Sequence, residues 1–301
     1  MTKQPDNEKI QIIINKLWSG TAVQDLFRSV WQAPKKLVHE LRMDKAVEVN
    51  GKTVNWTDCL VPDDILTISL PIDKMMRDHP APLPFEVLFE DDHLLIVNKP
   101  AGMATHPNEQ ADIDTLVNAV AFYLQKHGDI RKVRHVHRLD KDTTGAVLFA
   151  KHALSHAVLD KMLLERKINR TYWALAEGII PYKEKTINKP IGGDRHHPTR
   201  RRVSKSGQSA ISHFRVIKNF PMEQLTLIEC KLETGRTHQI RVHLSDSGHP
   251  LAGDILYGGN PIFPRLALHA RELSFRHPFT LEEMNVVAPF LDKPSIFDPY
   301  V

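Results

Sequence analysis

Cysteine is scarce in this 301-residue chain: the two present, Cys59 and Cys230, stand far apart and form no CxxC. That excludes a disulfide framework and a cysteine-based zinc site, and it fits a reducing compartment. No apolar run reaches the length of a membrane-crossing helix, and the opening stretch MTKQPDNEKI has no apolar signal-peptide core. The expectation is a soluble, cytoplasmic protein with no membrane partner. Histidine is plentiful by contrast, 17 in all. Yet the closest pairs, His135 with His137 and His196 with His197, fall in no HExxH or other ligand spacing. Neither a phosphate loop nor a dinucleotide fingerprint occurs. No metal is expected.

At 42% hydrophobic residues the chain is long enough for one sizeable core, or a core plus a small module. The formal net charge is only +4, but the cations are clustered. Arg131 to Arg138 reads RKVRHVHR and Arg195 to Lys205 reads RHHPTRRRVSK. Either cluster alone suits a solvated basic face as well as a ligand. Two of them, one abutting a pair of carboxylates, favour a polyanion, because each phosphate contact releases counterions.

Breakers divide the chain. The alternating prolines of Arg77 to Glu86, RDHPAPLPFE, hold the backbone extended and stop helices, so a linker is expected at 76–86. Upstream, a compact segment from about Val23 to Leu70 reads as a helix over LVHELRM. A hairpin turning at Asn50-Gly51 follows, and DDILTISL adds a strand. This is a small α+β module, 1–75, without a large core of its own. Downstream, 87–301, FEVLF and LLIVNK read as strands around an acidic turn at Asp91-Asp92, and AVLFA as a buried strand. KHALSHAVLDKMLLERK carries Leu154, Val158 and Met162 at helical spacing. RTYWALAEG and LTLIECKLETG alternate as strands, and RTHQIRVHLSDSG reads as a helix ended by Gly248. The fold expected is α+β, with a mixed, mainly antiparallel sheet flanked by helices and loops.

The chemistry concentrates in HRLDKDTTG, His137 to Gly145. Asp140, Asp142 and Thr144 match the Asp-x-Asp-x-Thr loop of magnesium-dependent phosphatases, in which the first Asp attacks phosphorus. That loop ends a buried apolar strand, however, whereas here the apolar strand follows the carboxylates and cations precede them. Asp254 has no second carboxylate nearby to complete a magnesium site. An Asp carboxylate is ionised at neutral pH, so Asp140 suits nucleophilic attack better than general-acid work. Asp142 suits a turn-capping role.

HRLDKDTTGAVLFAK, His137 to Lys151, resembles the signature of the RluA/RluD-type pseudouridine synthases, HRLD-x-x-T-[ST]-G followed by an apolar strand. NKPAGMATHP (Asn98 to Pro107), RTYWALAEG (Arg170 to Gly178), LETGRTHQIRVHL (Leu232 to Leu244), HPLAGDILYG and LALHARELSFRHP resemble further motifs of that family, in its order. The resemblance covers about Phe85 to Pro278. RMDKAVEVNGKTVN and LVPDDILTI are similar to the latter half of the ribosomal-protein-type RNA-binding module that often precedes such a domain. VWQAPKKLVHE stands where a Ser-Arg pair usually begins its helix.

The resemblance implies an enzyme that isomerises uridine to pseudouridine in ribosomal or transfer RNA, without cofactor or metal, as a monomer. It implies Asp140 as the attacking carboxylate, Tyr172 as the residue packed on the target base, and Arg241 as the charge partner of the Asp. Arg138 corresponds to the residue filling the gap left by an extruded nucleotide. The candidate RNA contacts are Arg138, His137, Arg134, Arg200, Arg201, Arg202 and Arg236. A different class stays open beside it: a non-catalytic RNA-binding or ribosome-assembly factor.

Overall fold

The computed structural model describes residues 7–71, 79–107, 109, 112–129 and 132–301. The chain opens with β1 (Asn7–Ile13), in which Ile10 and Ile12 are buried while Gln11 and Ile13 face solvent, the period-2 pattern of a half-buried strand. A one-turn helix α1 (Val23–Asp25) runs into a π turn, followed by α2 (Lys35–Met43). The strands β2 (Val47–Val49) and β3 (Lys52–Thr53) form the hairpin, and β4 (Ile65–Pro71) closes an antiparallel sheet ordered β1-β4-β2-β3. Asn50 (φ 51°) and Gly51 (φ 75°) make the hairpin turn, the left-handed pair that Asn-Gly favours.

This first sheet is larger than the segment from Val23 suggested, because β1 pairs along the whole of β4. Its core gathers Trp18, Phe27, Trp31 and Trp56, with edge-to-face ring contacts at 5.7 and 5.0 Å. The core also takes in Leu154, Val158 and Phe279 from the rest of the chain, with Phe279 5.4 Å from Trp31. The expected linker at 76–86 lies partly outside the described residues.

The second sheet is built from β5 (Glu86–Glu90), β6 (Leu94–Lys99), β7 (Arg134–His135), β8 (Thr144–Ala150), β9 (Asn169–Glu177), β10 (Glu184–Asn188), β13 (Ile211–Phe220), β14 (Leu225–Leu232), β15 (Leu268–Arg276) and β16 (Glu283–Val287). Its main path runs β10-β13-β14-β9-β15-β8-β6-β5, with β16 on β15 and β7 on β8. A small separate ribbon joins β11 (Ile191–Gly193) to β12 (Arg201–Val203).

Both faces of the central strands are covered. Leu95, Val97, Val147 and Phe149 pack under α3 (Leu116–Lys126) and α5 (Gln239–Asp246), whereas Ile96, Ala146 and Leu148 pack with Leu159 of α4 (Ala153–Leu164). Double coverage is why LLIV and AVLFA read as continuous apolar runs. Each large side chain so buried contributes ~1.5–3 kcal/mol. The α+β class and the mainly antiparallel sheet hold. Among the named pairings, β8 with β15 runs parallel, and there the site is assembled.

Candidate active site

Gly145, Ala270 and Tyr172 lie in one row across β8, β15 and β9. Gly145 has φ 112°, and a Cβ there would fall 2.2 Å from the Ala270 carbonyl oxygen, so only glycine lets the two strands meet. The loop 136–143 enters β8 just before this row and carries Asp140 at its bend, with the Thr143 N–H donating to the Asp140 carbonyl at 3.1 Å.

The loop is clamped from below. Lys99 is buried, and its Nζ donates to the carbonyls of Pro100, Met103 and Lys141 at 2.8, 2.7 and 2.8 Å. Burial pushes the Lys99 ammonium down to about 7, against the pull of Asp142 and Asp140. The Thr105 hydroxyl donates to the Leu139 carbonyl at 2.8 Å and accepts from the Leu139 N–H at 3.0 Å. On the other side, Arg265 donates to the Thr144 hydroxyl (3.0 Å) and to the Asp142 carbonyl (3.4 Å), with Asp292 as its ion-pair partner.

Arg241 reaches in from α5. Its Nη1 donates to Asp140 Oδ2 at 3.2 Å, while Nε and Nη2 grip Asp254 at 2.7 and 2.8 Å. The guanidinium lies 4.8 Å over the Tyr257 ring. Burial opposes its charge, but Asp254 and then Asp140 outweigh that and hold Arg241 above its ordinary value. Tyr172 is 4% exposed in the same cleft, and burial raises its phenol pKa, keeping it protonated.

His238, the residue before α5, adopts a left-handed backbone (φ 58°). Its Nδ1 lies 2.8 Å from the Tyr257 hydroxyl oxygen, which accepts from the Arg201 N–H at 2.9 Å. Its Nε2 lies 3.8 Å from Asp140 Oδ2.

The cleft around this centre has a volume of about 760 Å³. It brings together Asp140, Tyr172, Arg241, Arg138, His137 and Arg236. Arg134 and the Arg200–Arg202 run stand outside its lining. Arg138 is exposed at the mouth, with Nη1 3.3 Å from His106, whose ring stacks on His135 at 5.0 Å. Arg236 is exposed and donates to the Ser209 carbonyl at 3.0 Å. Arg200 pairs with Asp194 at 2.7 Å, Arg202 is exposed on β12, and Arg201 is half-buried there. Arg134 donates to the Lys132 carbonyl.

His137 differs from its expectation as an RNA contact. It is 6% exposed and accepts from the Leu148 N–H through Nε2 at 3.2 Å. Burial pushes it down to about 3, so it is a neutral acceptor fastening the loop to β8, with no charge for a phosphate. Lys99, Thr105, His238, Asp254, Tyr257 and Arg265 were not singled out for the site from sequence. Most sit inside the motifs quoted above, but their partners lie tens to over a hundred residues away. Asp254, weighed above as a metal ligand, instead holds Arg241. Among the described residues no cluster of three or more His, Cys, Asp or Glu could hold a metal ion, and no helix is long and apolar enough to cross a membrane.

Residues 93–246 match the RNA pseudouridylate synthase family, so the chain belongs to that family and isomerises uridines in RNA. Residues 10–66 match the N-terminal domain of RluD ribosomal pseudouridine synthases. Among relatives, the uncharacterized RNA pseudouridine synthase YhcT of Bacillus subtilis is 46% identical over 282 residues, 93% of either chain. The ribosomal large subunit pseudouridine synthase D of Vibrio vulnificus is 36% identical over 287 residues, 90% of this chain and 86% of that one. Human RNA pseudouridylate synthase domain containing 1 shares the fold, with a TM-score of 0.58 at 24% identity over 73% of this chain and 86% of its own.

Proposed function

We propose that Asp140 is the attacking carboxylate and that the substrate is large-subunit ribosomal RNA. The observation carrying the first part is the Arg241–Asp140 contact at 3.2 Å within the cleft that Tyr172 lines. A fixed guanidinium holds the carboxylate in one orientation, the condition for a nucleophile already in place when substrate arrives. Asp140 bonds to the extruded uridine, the bond from N1 to C1′ breaks, the uracil turns over, C5 joins C1′, and the bond to Asp140 breaks again to free the carboxylate. The proton on C5 leaves and N1 gains one, so atoms and electrons balance without a cofactor. Tyr172 packs on the base and holds it through the turn.

A paired base must leave its stack to reach this cleft, at a cost of a few kcal/mol. Arg138 at the mouth fills the gap, while Arg134, Arg200, Arg201, Arg202 and Arg236 take backbone phosphates, which offsets that cost. The ribosomal target is supported by the names of the Vibrio relative and of the matched N-terminal domain. The enzyme acts as a cytoplasmic monomer, with 1–75 as a small RNA-binding module, 76–86 as linker and 87–301 as catalytic domain.

The test is tritium release from 5-tritiated RNA of a deletion strain, fractionated into ribosomal and transfer RNA, with EDTA present. Wild type is expected to release tritium from large-subunit RNA and Asp140→Ala to release none. Release by the Asp140 variant sinks the nucleophile assignment; release from transfer RNA alone sinks the target.

A further inference from the structure

The carboxylates of the cleft are each paired, and Arg138 and Arg236, which have no carboxylate partner among the described residues, are exposed to solvent. Asp140 meets Arg241, Asp160 meets His156, and Glu233 meets both Arg166 and His213. Arg170 is different. It is 9% exposed, its Nε is buried without a hydrogen-bond partner, and no described carboxylate lies within ion-pair distance of it. A guanidinium cannot shed its proton to escape burial, so an unpartnered one inside a cleft calls for an anion from outside.

Its place in the sheet says which anion. Arg170 and Tyr172 are two apart on β9 and so share a face, at a spacing of about 6.6–6.8 Å. Tyr172 lies in the row with Ala270 and Gly145, next to the Asp140 loop, whereas Arg170 pairs with Leu273, three residues further along β15 from that row. A base lying on Tyr172 would put a phosphate of its own strand within reach of Arg170. The opposite wall leaves room: a Cβ on Gly235 would stand 3.1 Å from Arg170 Nη1, so any larger residue there crowds the guanidinium.

We propose that Arg170 is a phosphate subsite inside the active-site cleft, binding a phosphodiester adjacent to the target uridine and so setting how deep the RNA strand seats. The planar fork suits bidentate phosphate binding. The inference rests on Asp140 and Tyr172 being the reaction centre.

The full-length enzyme is assayed by tritium release from 5-tritiated ribosomal RNA of a deletion strain at several KCl concentrations, as wild type, Arg170→Gln, Arg170→Lys, Gly235→Ala and Asp140→Ala. For Arg170→Gln, KM is expected to rise about tenfold with kcat within twofold. The slope of log(kcat/KM) against log[KCl] becomes shallower by about 0.7–0.9, the share of one phosphate. Arg170→Lys, which keeps the charge without the fork, retains the wild-type slope with a smaller rise in KM. Gly235→Ala, which leaves β9 untouched, raises KM and supplies the test if Arg170→Gln does not fold. A fall in kcat with the salt slope unchanged overturns the proposal and moves Arg170 to the reacting base; unchanged KM in both Arg170→Gln and Gly235→Ala also overturns it. Activity surviving in Asp140→Ala instead removes the reading on which it rests.

Discussion

Arg241 touches two carboxylates at once, and the two contacts do different work. Asp254, 2% exposed, takes two of its donors and fixes the plane of the guanidinium, leaving one Nη for Asp140. Replacing Asp254 by Asn removes the charge and halves the grip on a buried cation. Breaking such a pair costs about 3–5 kcal/mol of stability, and a swung guanidinium would no longer hold Asp140. We expect Asp254→Asn to lower kcat about 10- to 100-fold, ~1.4–2.7 kcal/mol of barrier, together with a lower Tm. Tritium release and thermal unfolding measure the two. A lower Tm with kcat intact would make Asp254 purely structural.

At the scale of elements, the parallel meeting of β8 and β15 is what brings the Asp140 loop beside Tyr172. It depends on Gly145, where a side chain would collide with Ala270 backbone, not with a flexible side-chain tip. Gly102 gives the matched control, because its φ is 77° but nothing lies within 4 Å of the site of a Cβ. Gly102→Ala is expected to cost only the left-handed backbone strain, about 1–2 kcal/mol. Gly145→Ala adds the separation of two strands and is expected to cost more than ~4 kcal/mol, at the far end of single-substitution effects. Chemical denaturation of the two variants distinguishes them; equal losses would mean that β8 and β15 can part without consequence.

The whole molecule keeps several imidazoles neutral by burial. His137 is pushed down to about 3, and His269, which bridges the Thr144 hydroxyl and the Ala288 carbonyl, to about 4. In the unfolded chain both rings take up protons near pH 6.5, so between that value and the folded values the unfolded state binds more protons. Stability is therefore full above about pH 6.5 and falls as the pH drops, by up to ~1.4 kcal/mol per unit for each ring. Tm is expected to decline steadily from pH 6.5 to 4.5. His137→Gln, which retains an acceptor for the Leu148 N–H, should flatten that decline; an identical slope in the variant would show that His137 does not contribute. The first sheet shares this dependence on the rest of the chain, since Phe279 and Leu154 complete its core.

Much of the fold was legible because its signals are local. Double-sided burial wrote itself into LLIV and AVLFA, Asn50-Gly51 marked the hairpin, and the helix after Thr237 ended at Gly248 as its breaker implied. The strand β1 was as legible in principle, with Ile10 and Ile12 alternating, but its partner β4 lies more than fifty residues on. Where one residue type is tied to one chemistry, the motifs marked Asp140, Tyr172 and Arg241, and the fold brings these three to one cleft. His137 misled because a histidine among arginines looks like a surface cation until the fold turns it inward. Lys99, Asp254 and Arg170 carry no local sign of what they meet. Sequence determined which residues could do chemistry and which stretches could be strands, since side-chain type and periodicity act over a few residues. Tertiary structure alone decided which charge is neutralised and which is left waiting, because burial and pairing depend on groups brought together from distant parts of the chain.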